Sequence, residues 1–212
     1  LENDVVAVMV VAQNVITSGI TFPAGWQSSG TIATAVTGGA LYYQKVGVTP
    51  LANFTLTWTR TDREPVIMTW IMRGLDVSSP TSCFGSLKTT ANTSGGTATS
   101  SAMTITQNPQ LVTLVCIGER QGEDAFLDAT ECVEIDYYSP VFAVTSSASL
   151  GLGYTYAKST ETPVYHAQGS LAGGQSVIVA VCWVGDGTTT KVLPYPEKNT
   201  CELVFKDIGP HA

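Results

Sequence analysis

Tyr43-Gln44-Lys45-Val46-Gly47-Val48-Thr49-Pro50 returns later in the chain as Tyr156-Ala157-Lys158-Ser159-Thr160-Glu161-Thr162-Pro163. Val66-Ile67-Met68-Thr69-Trp70-Ile71-Met72-Arg73-Gly74 likewise returns as Val179-Ala180-Val181-Cys182-Trp183-Val184-Gly185-Asp186-Gly187. Both copies follow their originals by 113 residues, without a gap. Seven of 32 aligned positions are identical, where ordinary composition gives about two. Apolar character is kept as well: Leu41 falls on Tyr154, Leu51 on Val164, Met68 on Val181 and Ile71 on Val184. Two copies are too few for a solenoid, which needs about three stacked units. The repeat therefore predicts two related half-sandwiches closing on each other.

Working outward, Val5 to Val11 is a β-branched run that reads as a buried strand. Ala40–Lys45, Phe54–Trp58 and Pro65–Met72 follow in the first half. Leu111–Ile117, Leu152–Lys158, Tyr165–Gln168 and Ser176–Val184 follow in the second. Phe54-Thr55-Leu56-Thr57-Trp58-Thr59 alternates apolar with polar, the period of a half-buried strand. Aligning Val5–Ala12 with Leu111–Gly118 needs an offset of 106, which predicts seven extra residues between Gly118 and Leu152. Thr89–Ser101 holds Thr, Ser, Ala, Asn and Gly and reads as a flexible linker. No helical period is sustained, and short strands at this spacing indicate an antiparallel sandwich or barrel. The expectation is one all-β domain over residues 1–187, an antiparallel β-sandwich. Its half-units span about 1–88 and 102–187, and residues 188–212 form a C-terminal arm.

Composition narrows the function. The 212 residues carry 13% charged side chains, a net charge of −7 and a pI near 4.7. Soluble domains average about 25% charged residues, so this surface is polar but poorly charged. Nucleic acid selects clustered Lys and Arg, and anionic membrane selects the same; the charge argues against nucleic acid as a partner and disfavours an anionic membrane surface. Val5–Ala12 is apolar but short of the ~20 residues that span a bilayer. It also lacks a basic leader, so neither a signal peptide nor membrane insertion is expected. A start at Leu1 fits a processed product or part of a longer chain. Five cysteines (Cys83, Cys116, Cys132, Cys182 and Cys201) leave at least one unpaired in the chain. No CxxC occurs, which removes support for zinc. Cys116 and Cys182 sit in apolar strands and read as core residues, while Cys132 and Cys201 are the better disulfide candidates.

Three constellations carry candidate chemistry. Glu119, Glu123, Asp124, Asp128, Glu131, Glu134 and Asp136 place seven carboxylates in 18 residues. Calcium needs six to eight converging oxygens, yet the spacing fits no EF-hand, and a solvated loop is the expectation. His166 and His211 are the histidines, with no Gly-x-Ser-x-Gly elbow. His166 is read as a rim residue of a strand. Among the aromatics, Trp70 and Trp183 are core by their apolar flanks, and Tyr137-Tyr138 beside the acidic run is the exposed pair. No catalytic residue, metal or cofactor is expected.

Several of these segments together resemble a known family. Asn3-Asp4-Val5-Val6-Ala7-Val8, Phe22-Pro23-Ala24-Gly25-Trp26, Ala40-Leu41-Tyr42-Tyr43-Gln44-Lys45-Val46, Phe54-Thr55-Leu56-Thr57-Trp58 and Met72-Arg73-Gly74-Leu75-Asp76 carry the likeness. They are similar to jelly-roll-type domains on the virion surface of tailed bacteriophages: tail fibres, receptor-binding proteins and head decorations. The resemblance spans most of residues 3–184 and its motifs are structural. It implies a jelly-roll-like sandwich on a virion surface, and a non-enzymatic module contacting the host surface or, alternatively, the capsid shell. A carbohydrate-active enzyme module is the third reading. Implied partners are other virion proteins, a host surface glycan and two further copies in a trimer. Recognition is expected on loops at one end of the sandwich, with Glu123, Asp124, Tyr137 and Tyr138 as the ligand-binding residues.

Overall fold

The chain, described by a computed structural model over residues 3–13, 20–33, 37–47, 57–58, 66–92, 97–107, 109–118, 125–138, 149–169, 176–187 and 193–195, is all-β. Among these residues no helix occurs. The strands of the first half are β1 (Val5–Gln13), β2 (Ile20–Thr21), β3 (Gln27–Ala33), β4 (Thr37–Lys45), β5 (Thr57–Trp58) and β6 (Val66–Arg73). Then come β7 (Phe84–Asn92) and β8 (Thr97–Thr99). The second half supplies β9 (Gln110–Gly118), β10 (Ala125–Leu127), β11 (Val133–Tyr138), β12 (Ser149–Ala157), β13 (His166–Gly169), β14 (Ser176–Trp183) and β15 (Leu193–Tyr195).

Two five-stranded antiparallel sheets pack face to face as a β-sandwich. One runs β15-β6-β1-β4-β3 and the other β7-β14-β9-β12-β11. Strand for strand the orders correspond, β1 with β9, β4 with β12, β6 with β14 and β3 with β11. The ladders fix the correspondence to single residues. Ala7 lies between Tyr43 of β4 and Trp70 of β6. Leu111 lies between Tyr156 of β12 and Trp183 of β14. Both neighbours of Leu111 are therefore the residues that the 113-residue offset names, and the two half-units are related as the sequence predicts.

The same ladders correct the first strand. Ala7 corresponds to Leu111, an offset of 104 rather than 106. A slip of two preserves every inward side chain of a β-branched run, so apolar pattern alone cannot detect it. The extra residues also fall later than the acidic run. The β3–β4 connection runs from Ala33 to Thr37, whereas its counterpart runs from Tyr138 to Ser149.

Edge strands are exchanged between the halves. β7, which follows the first repeat, pairs with β14 of the second sheet, and β15, which follows the second, pairs with β6 of the first. The two crossing connections bond to each other reciprocally: Asp76 N–H to Val184 C=O (2.8 Å) and Asp186 N–H to Gly74 C=O (3.0 Å). Each turn depends on a glycine in the left-handed region, Gly74 at φ 79° and Gly187 at φ 77°. Residues 89–92 are thus strand rather than linker, as are 97–99. The described part of the arm, Leu193–Tyr195, has its counterpart in β7 and pairs within its own chain.

The sheets share one core that holds Val5, Ala7, Met9, Leu41, Tyr43 and Trp70 from one side. Leu111, Val115, Leu152, Val179 and Trp183 enter it from the other. Tyr43, Phe84 and Trp183 meet across it, with Trp183 edge-on to both (centroids 5.7 and 6.1 Å). The second sheet is buried on its outer face too. There Val112, Leu114, Cys116, Ile178, Ala180 and Cys182 pack under a three-stranded sheet, β10-β13-β8. Cys83, Cys116, Cys132 and Cys182 are free thiols; Cys116 and Cys182 are the core residues expected, and Cys132 is not in a disulfide.

Asp4 opens β1 with its side chain 3% exposed and is held by Arg73 at the end of β6. Nε donates to Oδ1 at 2.9 Å and Nη2 to Oδ2 at 3.0 Å, the two-pronged geometry suited to a carboxylate. Burial pushes this carboxyl up. Hydrogen bonds and charge led by the Arg73 guanidinium more than reverse that, leaving it below its ordinary value. Arg73→Met is expected to cost about 2 kcal/mol at pH 7. Breaking a fully buried pair costs about 3–5 kcal/mol, and the 46% exposure of Arg73 discounts that. A depressed carboxyl stabilises above its ordinary value of 3.8 and loses the contribution as pH falls through the native value. The gap between wild type and variant should therefore narrow from pH 7 to about pH 2 in urea titrations. A gap that stays constant over that range would refute the assignment.

Candidate functional site

The outer three-stranded sheet presents an open surface beside the acidic run. Its strands alternate strictly: Ala125, Leu127, Ala167 and Ala98 point down onto the second sheet and are buried. Phe126, His166, Gln168, Thr97 and Thr99 therefore occupy the outward face. Register aligns them in rows. Phe126, Gln168 and Thr97 form one rung across β10, β13 and β8, and His166 and Thr99 lie on a neighbouring rung. Around them lies a depression of about 690 Å³, lined by Thr97, Phe126, Leu127, Asp128, Glu131, His166, Gln168 and Gly169.

One wall is the turn after β10, Asp128-Ala129-Thr130-Glu131, which is latched to β13. Glu131 N–H donates to Asp128 C=O (3.0 Å) and Asp128 N–H to His166 C=O (3.3 Å). The Glu131 carboxylate accepts from the His166 backbone N–H (2.8 Å) and from its ring Nδ1. Asp128 Oδ1 accepts from the Thr130 hydroxyl (2.7 Å) and N–H (2.8 Å), which holds this carboxyl below the usual range. Cys132 follows the turn with its thiol donating to Asp128 C=O (3.6 Å). Burial, then Glu131 and its acidic neighbours, push it up to about 11. It remains a thiol at neutral pH and is a poor nucleophile.

The expected recognition residues distribute differently. Glu123 and Asp124 lie outside the described residues, as does Glu119. Tyr137 and Tyr138 continue β11 opposite Gly151 and Leu150, their side chains outside the described set. Within the described residues, Asp128 and Glu131 of the acidic run meet His166 instead. Glu131 and His166 are 35 residues apart, and nothing local signals the pairing; an acid-rich turn beside a lone strand histidine was the available hint. Among the described residues, no group of three His, Cys, Asp or Glu side chains is placed to hold a metal ion.

Every exposed large apolar side chain among the described residues falls in or beside this region: Phe126 (45%), Val133 (57%) and Val164 (42%). Val133 lies two residues past Glu131, and Val164 two before His166. By contrast, the aromatics of the Phe22–Trp26 turn pack among themselves and onto Tyr42, with Phe22 stacked on Tyr42 at 3.8 Å. The arrangement gathers carboxylates, an amide, an imidazole, hydroxyls and the half-exposed ring of Phe126 on one surface. Compared with protein-family models, with curated proteins and with solved structures, the chain matches none.

Proposed function

We propose that this chain is a non-enzymatic structural protein of a bacteriophage virion surface, a jelly-roll-like tail-fibre or receptor-binding module that contacts the host. The supporting observation is where the residues of the family resemblance sit. Asp4 pairs with Arg73, and the Phe22–Trp26 turn packs on Tyr42. Tyr43 lies in the shared core, and Gly74 turns the crossing connection. These residues build the sandwich and leave the outer surfaces to carry recognition, as expected where fold is fixed and function is grafted on. A homo-oligomer, expected to be a trimer, belongs to the same reading. β3, β7 and β11 each end a sheet and each carries a bulge, which blunts open-ended strand addition.

Purified protein should bind host cells and sediment as a trimer at micromolar concentration. Binding to empty capsids in place of cells would favour the alternative, a capsid decoration protein or head fibre. Turnover of host polysaccharide would overturn the non-enzymatic reading. Replacing Glu123, Asp124, Tyr137 and Tyr138 together by Ala tests the recognition site expected from the sequence; undiminished attachment would move it to the Phe22–Trp26 turn or the terminal arm.

A further inference from the structure

We infer that one side of the sandwich, the β6 edge from Val66 to Trp70 with Val133 and Tyr154 across from it, is a docking surface for this chain's own C-terminal segment. Residues 198–204 add there as a strand that continues β15.

The two sides of the sandwich differ. On one, β7 pairs with β14 from Trp183 to Ser176 and sends Phe84, Leu87 and Ala91 against the shared core. On the other, β15 pairs with β6 at Arg73, Met72 and Ile71, and among the described residues the ladder goes no further along that edge. Val66–Trp70 thus offer a backbone edge that strand addition can use. An inward side chain stands open there as well. β12 faces β6 across the core, and β11 is the next strand out. Val133 of β11 lies opposite Tyr154, whose ring packs against the core, so both point inward. Val133 is nevertheless 57% exposed.

The duplication names the occupant. β15 stands to β6 as β7 stands to β14. Val184 N–H donates to Cys83 C=O (2.8 Å), and Ile71, the counterpart of Val184, pairs with Tyr195. Tyr195 therefore corresponds to Cys83, and Pro196 to Phe84. A proline fits that place, because Phe84 N–H donates to Thr81 C=O (3.1 Å) within its own turn and the ladder needs no donor there. Carrying the β7 register forward, bulge included, sets Lys198 opposite Thr69 as Ser86 lies opposite Cys182. Asn199, Cys201 and Leu203 then take the inward places of Leu87, Thr89 and Ala91, while Lys198, Thr200 and Glu202 take outward ones. Residues 196–212 follow Tyr195 directly, and β15 already runs antiparallel along β6, so the added strand needs no crossing connection.

The test uses the full chain carrying Thr69→Cys and Lys198→Cys together, oxidised and digested beside each single variant. Directly opposed residues of antiparallel strands have Cα atoms about 4.5–5.5 Å apart, within reach of a disulfide. The double variant should join the two cysteines within one chain, giving a linked peptide in the digest and a monomer band on a non-reducing gel. A bond between two chains would assign the edge to a second copy, and no bond between these positions would remove the register; either result overturns the docking surface. Leu203→Asp should lower the melting temperature by about 6 °C, and Glu202→Ala by less than about 2 °C. In the wild-type protein, backbone amides of residues 198–204 should exchange about 100-fold more slowly than in an unstructured chain. Unprotected amides there, or equal shifts for the inward and outward substitutions, would likewise overturn it.

Discussion

Trp183→Ala is expected to lower the unfolding free energy by about 4 kcal/mol, the largest loss for any single substitution considered. Trp183 is 0% exposed and ends β14 against Tyr43 of the opposite sheet and Phe84 of the exchanged strand. Truncating a buried large aromatic costs about 3–5 kcal/mol in transfer and cavity free energy, and this ring touches both sheets. Its indole N–H also donates to Thr113 Oγ1 at 2.8 Å inside the core. Trp70, its counterpart, has a buried indole N–H with no hydrogen-bond partner. The offset of 104 explains the asymmetry, because the position equivalent to Thr113 is Met9, which brings no hydroxyl. The milder pair of substitutions isolates that difference. Trp183→Phe breaks a buried hydrogen bond and should cost about 2 kcal/mol, whereas Trp70→Phe removes an unsatisfied donor and should cost about 1 kcal/mol or less. Urea titrations with unchanged slope read both; equal losses at the two positions would contradict the account.

Gly39→Ala should be nearly as damaging, about 3 kcal/mol, without removing any contact. Gly39 sits in β4 between Val11 of β1 and Ile32 of β3. An added Cβ would lie 2.5 Å from the Val10 carbonyl oxygen, 3.2 Å from Val11 Cγ2 and 3.3 Å from Val11 Cα. Two of those atoms are backbone in a central strand, so relief requires the ladder to move, and overpacking of this kind costs about 1–3 kcal/mol or more. For a chain of this size the melting temperature should fall by about 6–12 °C. A Gly39→Ala melting temperature within about 2 °C of wild type would show that the sheet yields more easily than the register implies.

The repeat was legible because Tyr43, Lys45, Trp70 and Gly74 are residues whose positions matter: ring, register and left-handed turn. What the sequence hid has a physical pattern. Val5–Val11 and Leu111–Ile117 are apolar at almost every position, so their relative register was open to a slip of two until Tyr43 and Trp70 fixed it. Thr89–Asn92 resembled linker by composition, yet threonine suits strands, and the pairing that makes β7 a strand comes from Ser176–Val179, nearly ninety residues away. His166 read as a rim residue, and its 34% side-chain exposure agrees. Its engagement with Glu131 depends on a turn folding back, which no local spacing encodes. Phe126 sits between alanine and leucine, a setting that suits core, and only the pleat reveals which way it faces.

The exchanged edge strands also govern how this protein can be made. During synthesis, β6 leaves the ribosome long before β15, and β7 before β14. The first sheet cannot close until Leu193–Tyr195 has emerged, and β7 waits for a partner ending at Trp183. Contacts so distant along the chain delay the rate-limiting step of folding, and an early half-unit spends that interval with an open β6 edge exposed to other chains. Completion of the fold is thereby deferred until almost the whole described sequence is present.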